Sequence, residues 1–215
     1  MKQFIVITIC LLLAGVTSLS QTKKTPVKSA VTVPVAAVSE ISNVEWNEIT
    51  KALEVENWDK ATLLSSIALR KLTTDNDKKQ LASLRYFYLY SLAGKIQAKT
   101  TTYAEFEKIS QAFIGKDFLM PSRRVSADCA GKVNYVCEVI NDAMSVRVTA
   151  TNKTANLIHF FEYTQLNEFF DVSINNRKKV FLSGKLEKVE SDLKNNIRLI
   201  RLFFADGKAE IVKTY

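Results

Sequence analysis

The chain begins with an apolar run. Phe4 to Val16 is almost unbroken in apolar residues, with Lys2 ahead of it and the small residues Ser18 and Ser20 after it. A charged start, an apolar centre and a small-residue exit are typical of a secretory signal peptide. The run is shorter than the roughly 20 residues that a helix needs to cross a bilayer. We therefore predict a signal peptide over residues 1–20, cut between Ser20 and Gln21, and a secreted or periplasmic protein without a transmembrane helix after removal of the signal.

Two alternatives concern the same segment. Without cleavage, the run would act as an N-terminal anchor, but a polar stretch containing lysines follows it at once. A lipid anchor on Cys10 would need small residues just before the cysteine, whereas Thr8 and Ile9 stand there. Cys10 also lies inside the run rather than at its exit.

Residues 21–40 then mix Lys, Pro, Ser, Thr, Val and Ala without aromatics or a regular period, which predicts a flexible linker.

From residue 41 to residue 117 the apolar positions recur at three- and four-residue steps, which predicts about four helices joined in hairpins. Suitable capping residues precede the first, second and fourth helices: Ser42 or Asn43, Asn57, and Thr102 with Glu105. Gly115 suits the end of the fourth helix. We predict a helical-hairpin module over residues 41–117.

The third predicted helix is unusually aromatic. Tyr86, Phe87, Tyr88 and Tyr90 surround almost its whole circumference, so one buried face cannot take them all. Some of them must pack on the C-terminal half or stay exposed for a partner. Tyr86, Phe87 and Tyr90 are the candidate binding residues of this helix. The alternative is packing between the two halves.

The segment Asn57-Trp58-Asp59-Lys60-Ala61, continuing to Ser65, Ala68-Leu69 and Leu72, resembles the second helix of a tetratricopeptide repeat. The resemblance covers about seventy residues and at most two repeats. It implies helices that approach closely at small residues and a groove for a peptide. Because such stacks need about three repeats to be stable, the C-terminal part or an oligomer must help to cover the pair.

From residue 118 the pattern changes to alternation. Val146, Val148 and Ala150 alternate with Arg147 and Thr149, and about six such segments follow one another up to residue 215. Asp206-Gly207 is a strong hairpin signal. These features predict an antiparallel β barrel or sandwich over residues 118–215, and hence an α+β fold for the whole chain.

One of these strands resembles the opening strand of an OB-type barrel. It runs from Val180 through Gly184 to Val189, and in that family a glycine permits the strong bend of the first strand. The resemblance implies an OB-like barrel as an alternative to a generic barrel or sandwich.

Cys129 and Cys137 are the two cysteines left after removal of the signal. In an oxidising compartment they can pair across a hairpin with its turn near Gly131-Lys132. Closing so short a loop adds roughly 2–3 kcal/mol in the chain-entropy model. The alternative is two reduced, half-buried thiols.

Composition and motifs exclude several functions. The formal charge of +8 favours anionic surfaces such as lipids or polysaccharides, or no specific partner, and a protein outside the cytosol does not meet intracellular nucleic acid. His159, the only histidine, lies in an apolar strand, and neither a CxxC pair nor a Gly-rich phosphate loop is present. We predict no enzyme activity, no cofactor and no metal site. Asn152-Lys153-Thr154 fits a glycosylation sequon.

Arg177, Lys178 and Lys179 form the densest basic run of the folded part, and Arg198 and Arg201 lie on the next predicted strand. If the two strands pair, these cations can gather beside Phe181 or Phe203. Aromatic rings among cations bind sugars or single strands. The alternative is a solvated turn beside ordinary core aromatics.

Two functions follow from these features. The first is a non-catalytic interaction or scaffold protein that binds a protein or peptide partner at the cell envelope. The second is an OB-type barrel that binds an anionic polymer or a glycan through the basic run.

Overall fold

The computed structural model describes residues 40–72, 78–194 and 197–213, and the side chains of residues 193, 194, 197 and 198 are not described. The predicted signal peptide and nearly all of the linker lie outside this range. All described residues belong to one compact unit that spans Val35–Tyr215. None of the described helices is both long enough and apolar enough to span a membrane.

Four helices occupy the N-terminal half, as the periodicity predicts. They are α1 (Asn43–Glu54), α2 (Trp58–Lys71), α3 (Lys78–Gln97) and α4 (Tyr103–Gln111). The predicted caps are confirmed: Ser42 forms a capping box with Glu45, and the side chains of Asn57 and Thr102 accept the expected backbone N–H bonds. On α4 the Glu105 carboxylate accepts instead from the hydroxyl of Thr101, at 2.6 Å.

The helices pack closely where α2 has small residues. Ala61, Ser65 and Ala68 of α2 are buried, and the Thr62 hydroxyl donates to the Ser91 hydroxyl of α3 at 3.0 Å. A Cβ atom at Gly94 of α3 would overlap the indole ring of Trp58. Glycine at this position therefore allows α3 to approach α2.

The C-terminal half forms one mixed seven-stranded sheet. Its strands are β1 (Asp117–Leu119), β2 (Arg123–Val125), β3 (Tyr135–Val139), β4 (Asp142–Thr151), β5 (Ile158–Leu166), β6 (Lys179–Lys194) and β7 (Ile197–Ile211). The order is β1-β6-β2-β3-β4-β5-β7, and β6 also pairs with β7. The α+β class is confirmed.

The predicted antiparallel arrangement is wrong for two strand pairs. β2 pairs parallel with β3, and β5 pairs parallel with β7. The second pair arises because β6 runs opposite in direction to β5 and β7 reverses the direction again. β7 then lies beside β5 and parallel to it. Alternation identifies the face on which a side chain lies but not the direction of the neighbouring strand, so the pattern could not reveal these two pairs.

The predicted hairpin at Asp206-Gly207 is also wrong, because β7 continues through both residues. Asp206 has a φ of 53°, and Gly207 pairs with Leu166 of β5. A Cβ at Gly207 would lie 2.5 Å from the carbonyl oxygen of Gln165. The two residues therefore form an irregularity within β7 that lets the strand pass close to β5.

Helices and sheet share the main hydrophobic core. Tyr86, Leu89 and Leu92 of α3 and Phe106 of α4 pack in one cluster with sheet residues such as Phe160. A smaller cluster around Ile49 and Leu84 holds α1, α2 and α3 together. α3 therefore contributes to both clusters and connects α1 and α2 with the sheet.

Candidate functional site

The aromatic residues of α3 face the interior of the protein. Tyr86 is fully buried in the core, and Phe87 lies half-buried with its ring centroid 5.4 Å from that of Trp46. The hydroxyl of Tyr90 donates to the carbonyl oxygen of Thr151 at 2.7 Å. These contacts correspond to the packing alternative for α3.

Tyr86 belongs to a buried polar network that connects α3 with β2 and β5. Arg123 donates to both carboxylate oxygens of Glu162, at 2.5 and 2.9 Å, and to the Tyr86 hydroxyl at 2.5 Å. The hydroxyl in turn donates to Glu162 at 2.8 Å. Burial opposes the charge on Arg123, but its interactions with the Glu162 carboxylate and the Tyr86 hydroxyl together outweigh burial and raise the pKa of Arg123. The network therefore holds a paired charge inside the fold.

The basic residues expected to form one patch do not come together. β6 and β7 do pair, but Val180 lies opposite Ile211 while Arg201 lies opposite Glu190. Eleven residues of β6 separate Lys179 from Glu190, or about 36 Å of strand. Arg201 is paired with Asp192, and the side chain of Arg198 is not described. The antiparallel register therefore places the two halves of the predicted patch at opposite ends of the hairpin.

Arg177 lines a cavity near Cys129, with Asp128 and Lys132 among its other lining residues. The cavity measures about 530 Å³, and its cations are Arg124, Lys132 and Arg177 with one acid, Asp128. The ammonium group of Lys178 donates to Asn175, and Lys179 is the first residue of β6.

Cys129 and Cys137 form a disulfide with Cα atoms 6.0 Å apart. Its setting differs from the expected hairpin, because Cys129 lies in the connection between the parallel strands β2 and β3. The bond ties this connection to β3.

A larger cavity lies where the start of α3 meets the outer face of β1, β6 and β7. It measures about 690 Å³, and we call it the Phe181 groove. It is lined by Lys78, Lys79, Ala82, Asp117, Phe118, Leu119, Asn167, Phe181, Ser183, Gly184, Lys185, Asp206, Lys208 and Glu210.

Strand alternation places the key side chains of this groove. Val180 and Leu182 of β6 point into the core, so Phe181 and Ser183 face outward. The register sets Phe181 opposite Glu210 and Ser183 opposite Lys208. Phe181 remains 37% exposed.

Cations and acids alternate around the groove. Four lysines and three carboxylates line it, and Lys185 forms an ion pair of 2.9 Å with Asp206. Apart from this ion pair, the lining contains three lysines and two carboxylates: Lys78, Lys79, Lys208, Asp117 and Glu210. The groove is therefore weakly cationic around an apolar centre.

The sequence interpretation named Phe181 as a neighbour of the patch but did not identify the lysines of the groove. Lys78 and Lys79 are more than a hundred residues from Lys208 along the chain. No periodic signal connects them, because only the packing of α3 on the sheet brings them together. The detectable signal was Phe181 at an outward position of a strongly alternating strand.

The only histidine of the sequence is a packing residue. His159 is buried against the rings of Trp58 and Tyr90 and lies outside the groove. No cluster of three or more His, Cys, Asp or Glu residues that could hold a metal occurs among the residues described.

The sequon asparagine has a structural role. Asn152 is buried, and its side-chain amide donates to Glu56 at 3.1 Å. The other carboxylate oxygen of Glu56 accepts from the backbone N–H groups of Lys153 and Thr154. A glycan on Asn152 is therefore incompatible with this contact between the α1–α2 turn and the loop after β4.

Comparison of the chain with protein-family models, with curated proteins and with solved structures found no match.

Proposed function

We propose that this chain is a non-catalytic binding protein of the cell envelope or the extracellular space that holds an acidic peptide segment of a partner protein in the Phe181 groove. The observation that carries the proposal is the exposed ring of Phe181 in a groove lined by four lysines and three carboxylates. This site replaces the peptide groove expected on α3, whose aromatic residues are occupied in packing.

The apolar centre would accept one side chain of the partner. Phe118 and Ala82 are buried beneath the groove, and Phe181 supplies the exposed wall. Burying an aromatic side chain in an interface contributes more than most other contacts. An apolar side chain of the peptide would therefore gain most of its binding energy here.

The rim would select the charge of the flanking residues. Lys78 and Lys79 stand on α3 and Lys208 on β7, on different elements of the same groove. Carboxylates of the peptide can pair with these lysines, whereas a basic peptide would find fewer partners, because only Asp117 and Glu210 remain beside the Lys185–Asp206 ion pair. Such rim charges act mainly on specificity and on the rate of association.

Three fluorescein-labelled nonapeptides test the proposal. Each has leucine at its centre, flanked by aspartate, by serine or by lysine. We expect fluorescence anisotropy to show at least tenfold tighter binding of the aspartate peptide than of the lysine peptide. We expect Phe181→Ala and Lys208→Glu each to weaken binding of the aspartate peptide about tenfold, which corresponds to about 1.4 kcal/mol.

Matched variants provide the control. Ile174→Ala removes another exposed apolar side chain, and Lys99→Glu reverses another exposed charge, both outside the groove. Both should bind the aspartate peptide as the wild type does. Equal binding of the three peptides, or an unchanged affinity in Phe181→Ala, would refute the proposal.

A second candidate function is polyanion or glycan binding at the cavity of Arg124, Lys132 and Arg177. Three cations face a single acid there, which favours a sulfated or phosphorylated polymer. The substitution Arg124→Ala/Lys132→Ala/Arg177→Ala should lower the salt concentration that elutes the protein from heparin. Unchanged elution would exclude this candidate while leaving the peptide proposal intact.

Secretion is part of the proposal. The disulfide and the lack of a membrane-spanning helix in the described residues are compatible with an extracellular location. Mass spectrometry of the mature protein should find Gln21 at the N-terminus, cyclised or free. A species that begins at Met1 in the envelope fraction would contradict the predicted cut.

The finer fold assignment is likewise proposed. Strand pairing runs from β6 through β2, β3, β4, β5 and β7 and returns to β6. This ring supports a closed barrel over a two-sheet sandwich, and the register shift of β6 between Ser183 and Lys185 supports an OB-type bend near Gly184. The close α1–α2 and α2–α3 packing supports the tetratricopeptide-like arrangement of the helices.

A further inference from the structure

A separate cavity lies among α2, α3 and the segment that follows α4. It measures about 530 Å³, a size typical of small-molecule sites. None of its lining residues belongs to the Phe181 groove. We call it the three-helix cavity.

One side of the cavity is apolar. Leu69 of α2, Leu81 of α3 and Phe113 after α4 form this wall. All three are only partly buried, and Phe113 is held by an edge-on contact with the ring of Tyr88 at 6.0 Å. The protein therefore leaves an apolar surface open to a ligand between three elements.

The other side of the cavity is cationic. Arg70, Arg85 and Lys116 line it, and no acidic residue is among the described lining residues. The guanidinium of Arg85 donates to the carbonyl oxygen of Asp117 at 2.8 Å, which orients this group. Arginine pairs with a carboxylate through two parallel hydrogen bonds, so these cations suit a carboxylate head group.

Two hydroxyl groups also line the cavity, those of Ser66 and Tyr88. Both are protonated at neutral pH and can donate, and burial raises the pKa of Tyr88 further. Donors and cations with an apolar wall are complementary to a molecule that has an anionic head and a hydrocarbon body.

We propose that the three-helix cavity binds a single-chain anionic amphiphile, with its carboxylate on Arg70 and Lys116 and its acyl chain against Leu69, Leu81 and Phe113. The site does not depend on the peptide function of the Phe181 groove, so either can fail without the other.

Isothermal titration calorimetry with laurate, below the concentration at which it forms micelles, tests the proposal. Dodecyltrimethylammonium has the same chain length with a cationic head, and acetate has the head without the chain. We expect binding of laurate alone. We expect Arg70→Glu/Lys116→Glu to weaken laurate binding at least tenfold, and Ser66→Trp to abolish it by filling the cavity.

Lys60→Glu, an exposed charge reversal on α2 away from the cavity, is the matched control and should bind laurate as the wild type does. Arg70 and Lys116 are exposed, so their double variant tests the head group even if Ser66→Trp fails to fold. Equal binding of the cationic amphiphile, equal binding of acetate, or unchanged laurate affinity in the double variant would overturn the proposal. No laurate binding at concentrations up to about 1 mM would overturn it as well.

Discussion

At the scale of single residues, the buried pair of Arg123 and Glu162 is the most demanding feature of the fold. Taking two charges out of water costs several kcal/mol each, and the pair is tolerated because the two groups and Tyr86 bond to one another. The network also connects three elements that are far apart in sequence. It therefore contributes to the positioning of α3 on the sheet.

Removing one partner of this pair should be worse than removing both. We expect Arg123→Met to lower the free energy of unfolding by about 3–5 kcal/mol, because Glu162 is left as an uncompensated buried charge. Arg123→Met/Glu162→Leu should be more stable than the single variant. Urea unfolding at pH 7 measures both, and Arg124→Met, the exposed neighbour on β2, is the control. Additive losses would contradict the coupling.

His159 should make stability depend on pH. Burial lowers its pKa from the ordinary 6.5 to about 4, and neither ring nitrogen has a hydrogen-bond partner within the described residues. The unfolded chain therefore binds a proton at a higher pH than the folded protein. The free energy of unfolding falls as the pH drops from above 6.5 towards 4.

The lowered pKa of His159 predicts how much unfolding free energy is lost over a stated pH range. Between pH 7 and pH 5 the wild type should lose about 2 kcal/mol of unfolding free energy from this residue. His159→Phe should remove most of that slope, since the chain has no other histidine. Urea unfolding at several pH values provides the measurement. A slope that persists in His159→Phe would show that another group titrates in this window.

At the scale of elements, the contact between α2 and α3 depends on a glycine. An added Cβ at Gly94 would overlap the ring of Trp58, and overpacking of this kind costs about 1–3 kcal/mol. We expect Gly94→Ala to lower the thermal midpoint even though alanine is the better helix former. In Trp58→Leu the same substitution should cost less. Equal costs in the two backgrounds would mean that the ring does not limit the approach of the helices.

The connection from β2 to β3 depends on the disulfide. These strands pair parallel through only two register positions, and the bond closes a loop of eight residues. Cys129→Ser/Cys137→Ser should lower the free energy of unfolding by about 2–3 kcal/mol. Reduction of the wild type should have the same effect. If the stability of the wild type in reductant equals that in oxidising buffer, the bond does not constrain the unfolded chain.

At the scale of the whole molecule, the helical module and the sheet share one core. The predicted module of residues 41–117 would expose Leu89, Leu92 and Phe106 if it stood alone. A purified fragment of residues 41–117 should therefore show no cooperative thermal transition by circular dichroism, whereas residues 21–215 should. A cooperative transition in the fragment would establish the module as an independent domain.

The sequence predicted the helices and the alternation of strands well, because both depend on neighbours within a few residues. Ser42, Asn57 and Thr102 act on backbone groups three positions away, so their roles are visible without the fold. The cysteine pair was also accessible from sequence, since eight residues of chain keep the two thiols close.

The tertiary structure decided strand direction and register, and with them the candidate sites. Arg177 and Arg201 are separated because Ile211, not Arg201, lies opposite the start of β6. Lys79 and Lys208 share the Phe181 groove because α3 packs on the sheet. These relations depend on contacts between residues far apart in the chain, and periodicity within a single segment contains no information about them.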